Sequence, residues 1–296
     1  MLAKIISGTQ VAAEIREELK ERVRKLKDNG VTPSLAVVLV GEDPASVSYV
    51  TAKAKGAEEI GMHEETIRLP ADTPEAEVLK NVDNLNKDQK FHGILVQLPL
   101  PKHISTEKVI NYISPEKDVD GFHPVNVGKL LRGEPCPMPC TPHGIQQLLV
   151  RSGYDPRGKH VVICGRSNLV GKPLAAILMQ KKNGANATVT VCHTGTKDIA
   201  SFTKQADIVV AAMGSPKAIT ADMVRDGAVV IDVGVNRVED RTREKGYRLV
   251  GDVDFEAVKE KAAAITPVPG GVGPMTVTML LMNTIEAAEK KAGITS

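Results

Sequence analysis

The feature that most constrains the fold is an abrupt change from apolar to polar residues near the middle of the chain. The β-branched run at 161–164 stops at Gly165, a polar turn follows, and we predict that a helix begins at Pro173, because proline is favoured in a first helical turn. A strand, a glycine turn and a helix N-terminus together present backbone N–H groups to a phosphate. Arg166 adds a fixed positive charge that suits the same ligand. We interpret this stretch as a dinucleotide site. The spacing of Gly165 and Gly171 departs from G-x-G-x-x-G, and an ordinary turn in a parallel sheet is the alternative.

Amphipathic helical segments alternate with short apolar runs along most of the chain. Before residue 114 we predict helices over 9–29, 44–60 (capped by Asp43) and 73–86, and strands over 34–41, 63–69 and 93–97. After residue 141 we predict helices over 141–152, 173–182 and 275–292, and strands over 161–164, 187–192, 207–211, 228–231 and 261–266. This alternation indicates parallel sheets. The predicted fold class is α/β, with two domains, each a mostly parallel sheet with flanking helices, and the second Rossmann-like. Residues 114–141 lack periodicity, and we predict a long irregular segment with a function.

Size, charge and cysteine content limit the class of protein. The chain has 296 residues, which suits two domains, and a net charge of +2, which does not favour nucleic acid or an acidic membrane as the main partner. No apolar stretch approaches the roughly 20 residues that span a bilayer, and the N-terminus lacks the apolar part of a signal peptide. The four cysteines are scattered and do not form a disulfide framework. We therefore expect a cytoplasmic protein.

A first group of candidate catalytic residues lies on the second predicted helix. Tyr49, Lys53 and Gly56 are spaced to share one helix face. A lysine against apolar surface loses pKa and can act as a base near neutral pH. The alternative is an ordinary solvated lysine, which is the usual case for this residue type.

Two further candidates follow the third predicted strand. Gln97 stands at its carboxyl end, where parallel sheets bind ligands, although it could equally be a capping amide in a turn. Asp118 and Asp120 are two residues apart and could bind a metal or a nitrogen-rich ligand. Because Asp120 precedes a glycine, a simple turn is the favoured interpretation from the residues alone.

The segment 266–276 is rich in glycine and proline and comes just before the last predicted helix. Glycines let the backbone approach a flat ligand closely, and prolines hold the loop with little loss of entropy. A plain hinge is the alternative interpretation.

Two cysteine patterns are weaker candidates for a functional site. Cys136, Cys140 and His143 have metal-like spacing without a fourth ligand, so we expect no metal. Cys192 and its neighbouring histidine are adjacent in sequence, which does not suit a Cys–His nucleophile.

NAD sites usually place an acid after the second strand of the nucleotide fold, whereas here none occurs before Asp198. Together with Arg166, this favours NADP.

These segments together resemble the bifunctional methylenetetrahydrofolate dehydrogenase/cyclohydrolase family, and the resemblance covers nearly the whole chain. Six motifs carry it, in order: 48–53 (SYVTAK), 93–100 (GILVQLPL), 117–121 (KDVDG), 165–171 (GRSNLVG), 231–236 (IDVGVN) and 267–276 (PVPGGVGPMT). Members oxidise 5,10-methylenetetrahydrofolate with NADP and hydrolyse the methenyl product to 10-formyltetrahydrofolate, within one-carbon metabolism that serves purine biosynthesis.

The resemblance also implies the domain plan and the roles of site residues. It implies a folate-binding catalytic domain of residues 1–140 plus 275–296, an NADP-binding domain of residues 141–274, an active site in the cleft between them, and a homodimer joined through the NADP domain. The implied catalytic residues are Lys53, Gln97, Tyr49 and Asp120. The implied cofactor contacts are Gly165, Arg166, Ser167, Gly171, Thr194 and Val235. The implied folate contacts are Tyr49, Asp120, Pro269, Gly270 and Gly271.

Three rival functions remain at this point. An NADP-dependent dehydrogenase without cyclohydrolase activity would need Lys53 only for binding. A catalytically silent folate or nucleotide binder would have no use for a lysine–glutamine proton shuttle. A shikimate-type dehydrogenase would leave the 266–276 segment and the Tyr49–Lys53 pair unexplained.

Overall fold

The structure is a computed structural model that describes residues 2–243 and 246–294. Its strands are β1 (Lys4–Ile5), β2 (Ser34–Val40), β3 (His63–Leu69), β4 (Gly93–Val96), β5 (His160–Cys164), β6 (Thr188–Cys192), β7 (Ile208–Ala211), β8 (Val229–Asp232), β9 (Asn236–Glu239), β10 (Tyr247–Val250) and β11 (Ala264–Ile265). Its α-helices are α1 (Gly8–Asp28), α2 (Pro44–Glu59), α3 (Glu75–Lys87), α4 (Thr106–Tyr112), α5 (Pro124–Arg132), α6 (Cys140–Arg151), α7 (Gly171–Leu178), α8 (Ile199–Thr203), α9 (Phe255–Lys259) and α10 (Val272–Ala292). Within the described residues, no helix is long and apolar enough to cross a membrane.

The chain divides into two compact units. One, the six-stranded unit, consists of Met1–Ala12 and Thr141–Thr276, and the other, the three-stranded unit, consists of Ala13–Cys140 and Val277–Ser296. The family resemblance predicted that residues 1–140 and 275–296 form one domain. The contacts instead place the first twelve residues with the six-stranded unit, because β1 pairs with β11.

In the part of the chain that the structure describes, the six-stranded unit contains a parallel sheet in the order β1-β11-β8-β7-β5-β6. Valine, isoleucine and alanine side chains from β5, β7 and β8 are fully or almost fully buried, as expected for strands covered on both faces. A two-stranded antiparallel ribbon of β9 and β10 accompanies this sheet. The predicted α/β class and the parallel sheet are confirmed.

The three-stranded unit has a parallel sheet in the order β3-β2-β4 over its described residues. All seven residues of β2 are buried at its centre, and the apolar stripe predicted on α1 is buried too: Val11, Ile15, Leu19, Val23 and Leu26. Helix α10 packs closely on α2 at Gly56, where an added Cβ would lie 3.2 Å from the Leu281 side chain. The small residue therefore lets the helix that carries Lys53 approach α10.

The sequence prediction was wrong for part of 114–141, where the structure contains helix α5. His123 caps its N-terminus, Pro124 occupies its first turn, and Gly133 ends it at φ +73°. Proline at the start and glycine past the end are ordinary helix signals, but the short helix shows too few apolar repeats to be recognised. The helix predicted at Pro173 to residue 182 instead begins at Gly171 and ends at Leu178.

The cap of α2 provides a test of local stability. The Asp43 side chain accepts a hydrogen bond from the Ser46 N–H at 2.9 Å. We expect Asp43→Ala to lower the free energy of unfolding by about 1 kcal/mol, because one N–H of the first turn loses its acceptor. Chemical denaturation monitored by circular dichroism measures this. Glu42→Ala, at the exposed neighbouring position, is the control and should change stability by less than about 0.5 kcal/mol; equal losses in the two variants would contradict the role of the cap.

Candidate active site

Helix α2 carries a buried lysine and, one turn earlier, an exposed tyrosine. Lys53 is only 7% exposed, whereas Tyr49, one turn earlier, is 41% exposed. The burial excludes the alternative of a solvated surface lysine. Burial lowers the pKa of the Lys53 ammonium, while the negative charge of Asp120 opposes that shift. The site therefore holds a lysine that loses its proton more readily than a surface lysine does.

Gln97 is fixed at the carboxyl end of β4, where the sequence predicted a ligand-facing residue. Its backbone N–H donates to Val38 O at 2.9 Å, which continues the β2–β4 pairing past the end of the strand. Its side-chain Oε1 accepts a hydrogen bond from Lys53 Nζ at 2.8 Å, and its Nε2 donates to Leu98 O at 2.6 Å. Both ends of the amide are used, so the Lys53 nitrogen is held in one place.

Asp120 and Cys140 complete this cluster in the three-stranded unit. Burial raises the pKa of the Asp120 carboxyl, against the positive charge of Lys53, which lowers it. Burial and the neighbouring Asp120 carboxylate raise the pKa of the Cys140 thiol well above its ordinary value. Cys140 therefore stays a neutral thiol, and its Sγ donates to Val119 O at 3.3 Å. The cluster contains a lysine, a carboxyl group and a neutral thiol.

Asp118 has a different role from Asp120. Its Oδ1 accepts from Gly121 N at 3.1 Å, and its Oδ2 accepts from His123 N at 2.8 Å and from Asn126 Nδ2 at 2.9 Å. Both oxygens thus hold the turn, as the turn interpretation predicted for this segment. Among residues 2–243 and 246–294, no group of three or more histidine, cysteine or acidic side chains could hold a metal ion.

The glycine turn after β5 lies in the six-stranded unit and is built by close backbone approach. Gly165 has φ +138°, and an added Cβ would lie 2.1 Å from Ala212 O. An added Cβ on Gly171 would lie 2.0 Å from Gly165 O. These contacts bring the start of α7 against the end of β5, which is the arrangement of a nucleotide-binding turn. Val170 at the cap of α7 contributes no side-chain hydrogen bond to this helix end, so a ligand phosphate can take that place.

The remaining predicted cofactor contacts stand at the same edge of this sheet. Arg166 and Ser167 are exposed within the turn, and Ser167 Oγ accepts from Val170 N at 3.1 Å. Thr194 is exposed just after β6, and Val235 is 52% exposed just after β8. Since β5, β6 and β8 run parallel in one sheet, their carboxyl ends meet at one edge. We call the closely packed turn from Gly165 to Gly171 the glycine cradle. These side chains and the glycine cradle fit a dinucleotide.

Two buried carboxylates that no sequence pattern identified fix the loops at this edge. Asp232 accepts hydrogen bonds from the backbone N–H groups of Gly234, Asp252 and Val253, at 2.9–3.0 Å. Burial nevertheless raises the pKa of its carboxyl to about 6. Asp252 accepts from three successive backbone N–H groups, residues 213–215, and from Asn236 Nδ2. The loops after β7 and β8 are thereby held in a single arrangement.

The glycine–proline segment 266–276 is anchored within the six-stranded unit. Gly270 has φ +98°, and its carbonyl accepts from Thr9 N at 3.1 Å. An added Cβ on Gly8 would lie 1.7 Å from Gly271 O. The Val268–Pro269 peptide is cis. The segment is thus bonded to the start of α1, which does not suit a plain hinge.

Both halves of the chain match models of one known family. The model of the tetrahydrofolate dehydrogenase/cyclohydrolase catalytic domain matches residues 6–120, and that of the NAD(P)-binding domain of the same family matches residues 139–292. The chain belongs to this family. It is 59% identical to the bifunctional protein FolD of Dehalococcoides mccartyi (strain CBDB1) over 99% of both chains.

Solved structures agree with the family models. The FolD dehydrogenase/cyclohydrolase of Campylobacter jejuni has a TM-score of 0.92 and 46% identity, and covers 98% of this chain and 99% of its own. The Trypanosoma brucei enzyme, which was solved with NADP cofactor and an inhibitor, has a TM-score of 0.93 and 41% identity, with the same coverage. The two-domain fold, with a Rossmann-like second domain, is therefore confirmed.

The structure thus gathers the predicted site residues into two groups. Lys53 and Gln97 are bonded to each other, and Asp120 lies close enough to shift the pKa of Lys53. The phosphate-turn residues gather at the sheet edge of the other unit. The place of Cys140 beside Asp120 was missed, because its spacing from Cys136 and His143 suggested only a metal. No pattern in the local sequence predicts that Cys140 lies beside Asp120.

The glycine cradle gives a test of the nucleotide turn. We expect Gly165→Ala to destabilise the six-stranded unit by about 3 kcal/mol, because the added methyl group would meet Ala212 O and φ is positive. Thermal unfolding measures the loss. Gly153→Ala is the matched control, since its φ is +87° but nothing lies within 4 Å of the added Cβ, so only the backbone strain is present. If the two variants lose the same stability, close approach is not what requires Gly165.

Proposed function

We infer that this chain is a bifunctional enzyme of one-carbon metabolism. It oxidises 5,10-methylenetetrahydrofolate to 5,10-methenyltetrahydrofolate with NADP, and it hydrolyses the methenyl product to 10-formyltetrahydrofolate. The observation that carries this proposal is the buried Lys53, hydrogen-bonded to Gln97 and facing Asp120, in a chain that matches both domains of the family. A dehydrogenase without cyclohydrolase activity would need no proton carrier of this kind.

The turn from Gly165 to Gly171 would hold NADP, which when bound would supply the acceptor for the hydride of the methylene carbon. Around it, the Gly165–Gly171 cradle receives the phosphates, with Arg166, Ser167 and Thr194 as polar contacts. Arg166 pairs with a 2′-phosphate through its planar guanidinium, and no acidic residue occurs between β6 and Asp198 to favour a free ribose hydroxyl. Val235 contributes an apolar surface beside the nicotinamide ring.

Lys53 moves the protons of the hydrolytic step. In its neutral form, it accepts a proton from the water that attacks the methenyl carbon. It returns a proton to N5 of the folate as the bond from that carbon to N5 breaks, and the carbonyl of the 10-formyl group forms with net release of one proton. Gln97 holds Lys53 Nζ through its Oε1, so the lysine is correctly placed throughout.

Tyr49 and Asp120 bind the folate. The exposed ring of Tyr49 packs on the flat substrate, and Asp120 accepts charge-assisted hydrogen bonds from the pterin N–H groups. Pro269, Gly270 and Gly271 supply a close-packed backbone surface for the same ligand. Each of these roles follows from the family resemblance together with the exposure and geometry of the side chain or loop.

Cellular setting and assembly complete the proposal. All four cysteines are free thiols, which is typical of a reducing compartment such as the cytoplasm. The net charge of +2 supports small-molecule ligands rather than nucleic acid as the partner. Strand β6 lies at the edge of its sheet in the described residues, and an unpaired strand edge suits association of two copies through the NADP domain. Light scattering of the purified protein tests the dimer.

The role of Lys53 is tested by substitution. We expect Lys53→Met to reduce methenyl hydrolysis to the uncatalysed background, because no other lysine lies in the cluster and Met retains the buried volume. Absorbance of the methenyl substrate measures the rate. Lys55→Met, at an exposed position of the same helix, is the control and should hydrolyse normally. A Lys53→Met enzyme with ordinary hydrolysis would assign the proton transfers to another residue.

The pH dependence of hydrolysis follows from the same cluster. The active form of Lys53 is neutral, so the rate rises as pH increases through its pKa, which burial places below that of a free lysine. The Asp120 carboxylate raises the pKa of Lys53, so Asp120→Asn should move the rising limb to lower pH. Hydrolysis rates at saturating substrate, measured across pH, show the shift. A limb that stays in place or moves upward would contradict the electrostatic coupling.

A further inference from the structure

We propose that Asn283 is a positioning residue for the active site, which it controls by tying together the two chain segments that carry Asp120 and Cys140. Asn283 lies on α10, far from both segments in sequence. The proposal rests on the function proposed above, because it takes Asp120 as the group that binds folate. It concerns contacts within the three-stranded unit only.

The amide group of Asn283 has a specific bonding pattern. Its Nδ2 donates to Val119 O at 2.7 Å and to Met138 O at 2.8 Å, and it lies 3.7 Å from Cys140 Sγ. Val119 immediately precedes Asp120, and Met138 is two residues before Cys140. One side chain therefore joins the Asp120 segment to the Cys140 segment.

The same carbonyl is shared with the thiol of the cluster. Val119 O accepts both the Asn283 amide and the Cys140 thiol, the latter at 3.3 Å. Asn283 is 2% exposed, and its Oδ1 is buried without a hydrogen-bond partner. A buried amide oxygen with no partner is costly, and a residue chosen only to fill this space would be apolar. The two hydrogen bonds that the amide donates explain why a polar residue occupies this position.

Apart from the Cys140 thiol, the other described contacts of this loop hold residues on either side of Val119. Asp118 and Asn126 hold the turn through Gly121 and His123, and the pairing of Ile94 with Asp118 attaches the chain to β4. The Asp118–Asn126 and β4 contacts act on the turn and on the residues before Asp120. Asn283 acts on the carbonyl next to Asp120, and so fixes the direction in which that carboxylate leaves the chain.

A neighbouring residue on α10 provides a matched control. Thr284 is fully buried, and its Oγ1 donates to Leu280 O within the same helix at 2.9 Å. Thr284→Val removes a buried hydrogen bond within α10 and leaves both Asn283 donors in place. Asn283→Leu keeps the approximate shape of the amide and removes both donors, and Asn283→Ser keeps a single hydroxyl donor in a smaller side chain.

The experiment measures four quantities on the full-length variants: KM for methylenetetrahydrofolate, KM for NADP, the pH profile of methenyl hydrolysis, and the unfolding midpoint. We expect Asn283→Leu to raise KM for the folate about tenfold, which corresponds to roughly one hydrogen bond of binding, and to leave KM for NADP unchanged. The rising limb of hydrolysis should move to lower pH, in the same direction as in Asp120→Asn. Thr284→Val should keep all kinetic values. If Asn283→Leu does not fold, Asn283→Ser should show the same changes at smaller size.

The outcomes separate this inference from the proposed function. If the wild-type protein neither oxidises methylenetetrahydrofolate nor hydrolyses the methenyl form, the proposed function fails and the inference falls with it. If the wild type is active and Asp120→Asn raises KM for the folate, but Asn283→Leu or Asn283→Ser only lowers the unfolding midpoint, then Asn283 is merely structural and the inference alone is overturned. An equal rise in KM for NADP would also overturn it.

Discussion

The active site depends on one interaction, the hydrogen bond between Lys53 Nζ and Gln97 Oε1 at 2.8 Å. A lysine removed from water would normally give up its proton or turn back toward solvent. Here the Asp120 charge opposes the loss of the proton, while burial favours it, and the Gln97 amide oxygen holds the nitrogen in place. The balance keeps the nitrogen both fixed and able to exchange a proton. The surrounding elements serve to bring β4, α2 and the Asp120 turn to this one nitrogen.

Close approach of backbones is the second constraint, and it explains several of the glycines in the recognised motifs. At Gly165 and Gly171, which belong to one motif, and at Gly8, which lies outside the motifs, an added Cβ would lie within about 2 Å of a carbonyl oxygen, far inside any contact distance. Gly56 serves the same purpose between helices, where the neighbouring atoms belong to side chains. The motifs are therefore packing requirements as much as chemical ones, and one substitution at such a point disturbs both the fold and the ligand surface.

Much of the architecture was accessible from the sequence, for identifiable physical reasons. Buried parallel strands such as β2 and β5 are continuous apolar runs, and α1 and α10 are long enough to show a clear periodicity. Short elements were missed: β9 and β10 span four residues each, with charged residues at Arg237, Glu239 and Arg248, and α8 and α9 span a single turn or little more. In the site, Gln97 was located because strand ends can be recognised. The roles of Cys140, Asp232 and Asn283 depend on partners distant in sequence, which no local pattern can reveal.

The pairing of β1 with β11 has a consequence for synthesis of the chain. Lys4 aligns with Ala264, so the strand made first must wait for a partner made about 260 residues later. At ordinary rates of translation, this delay is on the order of tens of seconds. The three-stranded unit likewise combines residues 13–140 with residues from 277 onward, which follow the whole six-stranded unit in sequence. Neither unit can therefore be completed before its late segment has been made, and the interval leaves β1 without its sheet partner.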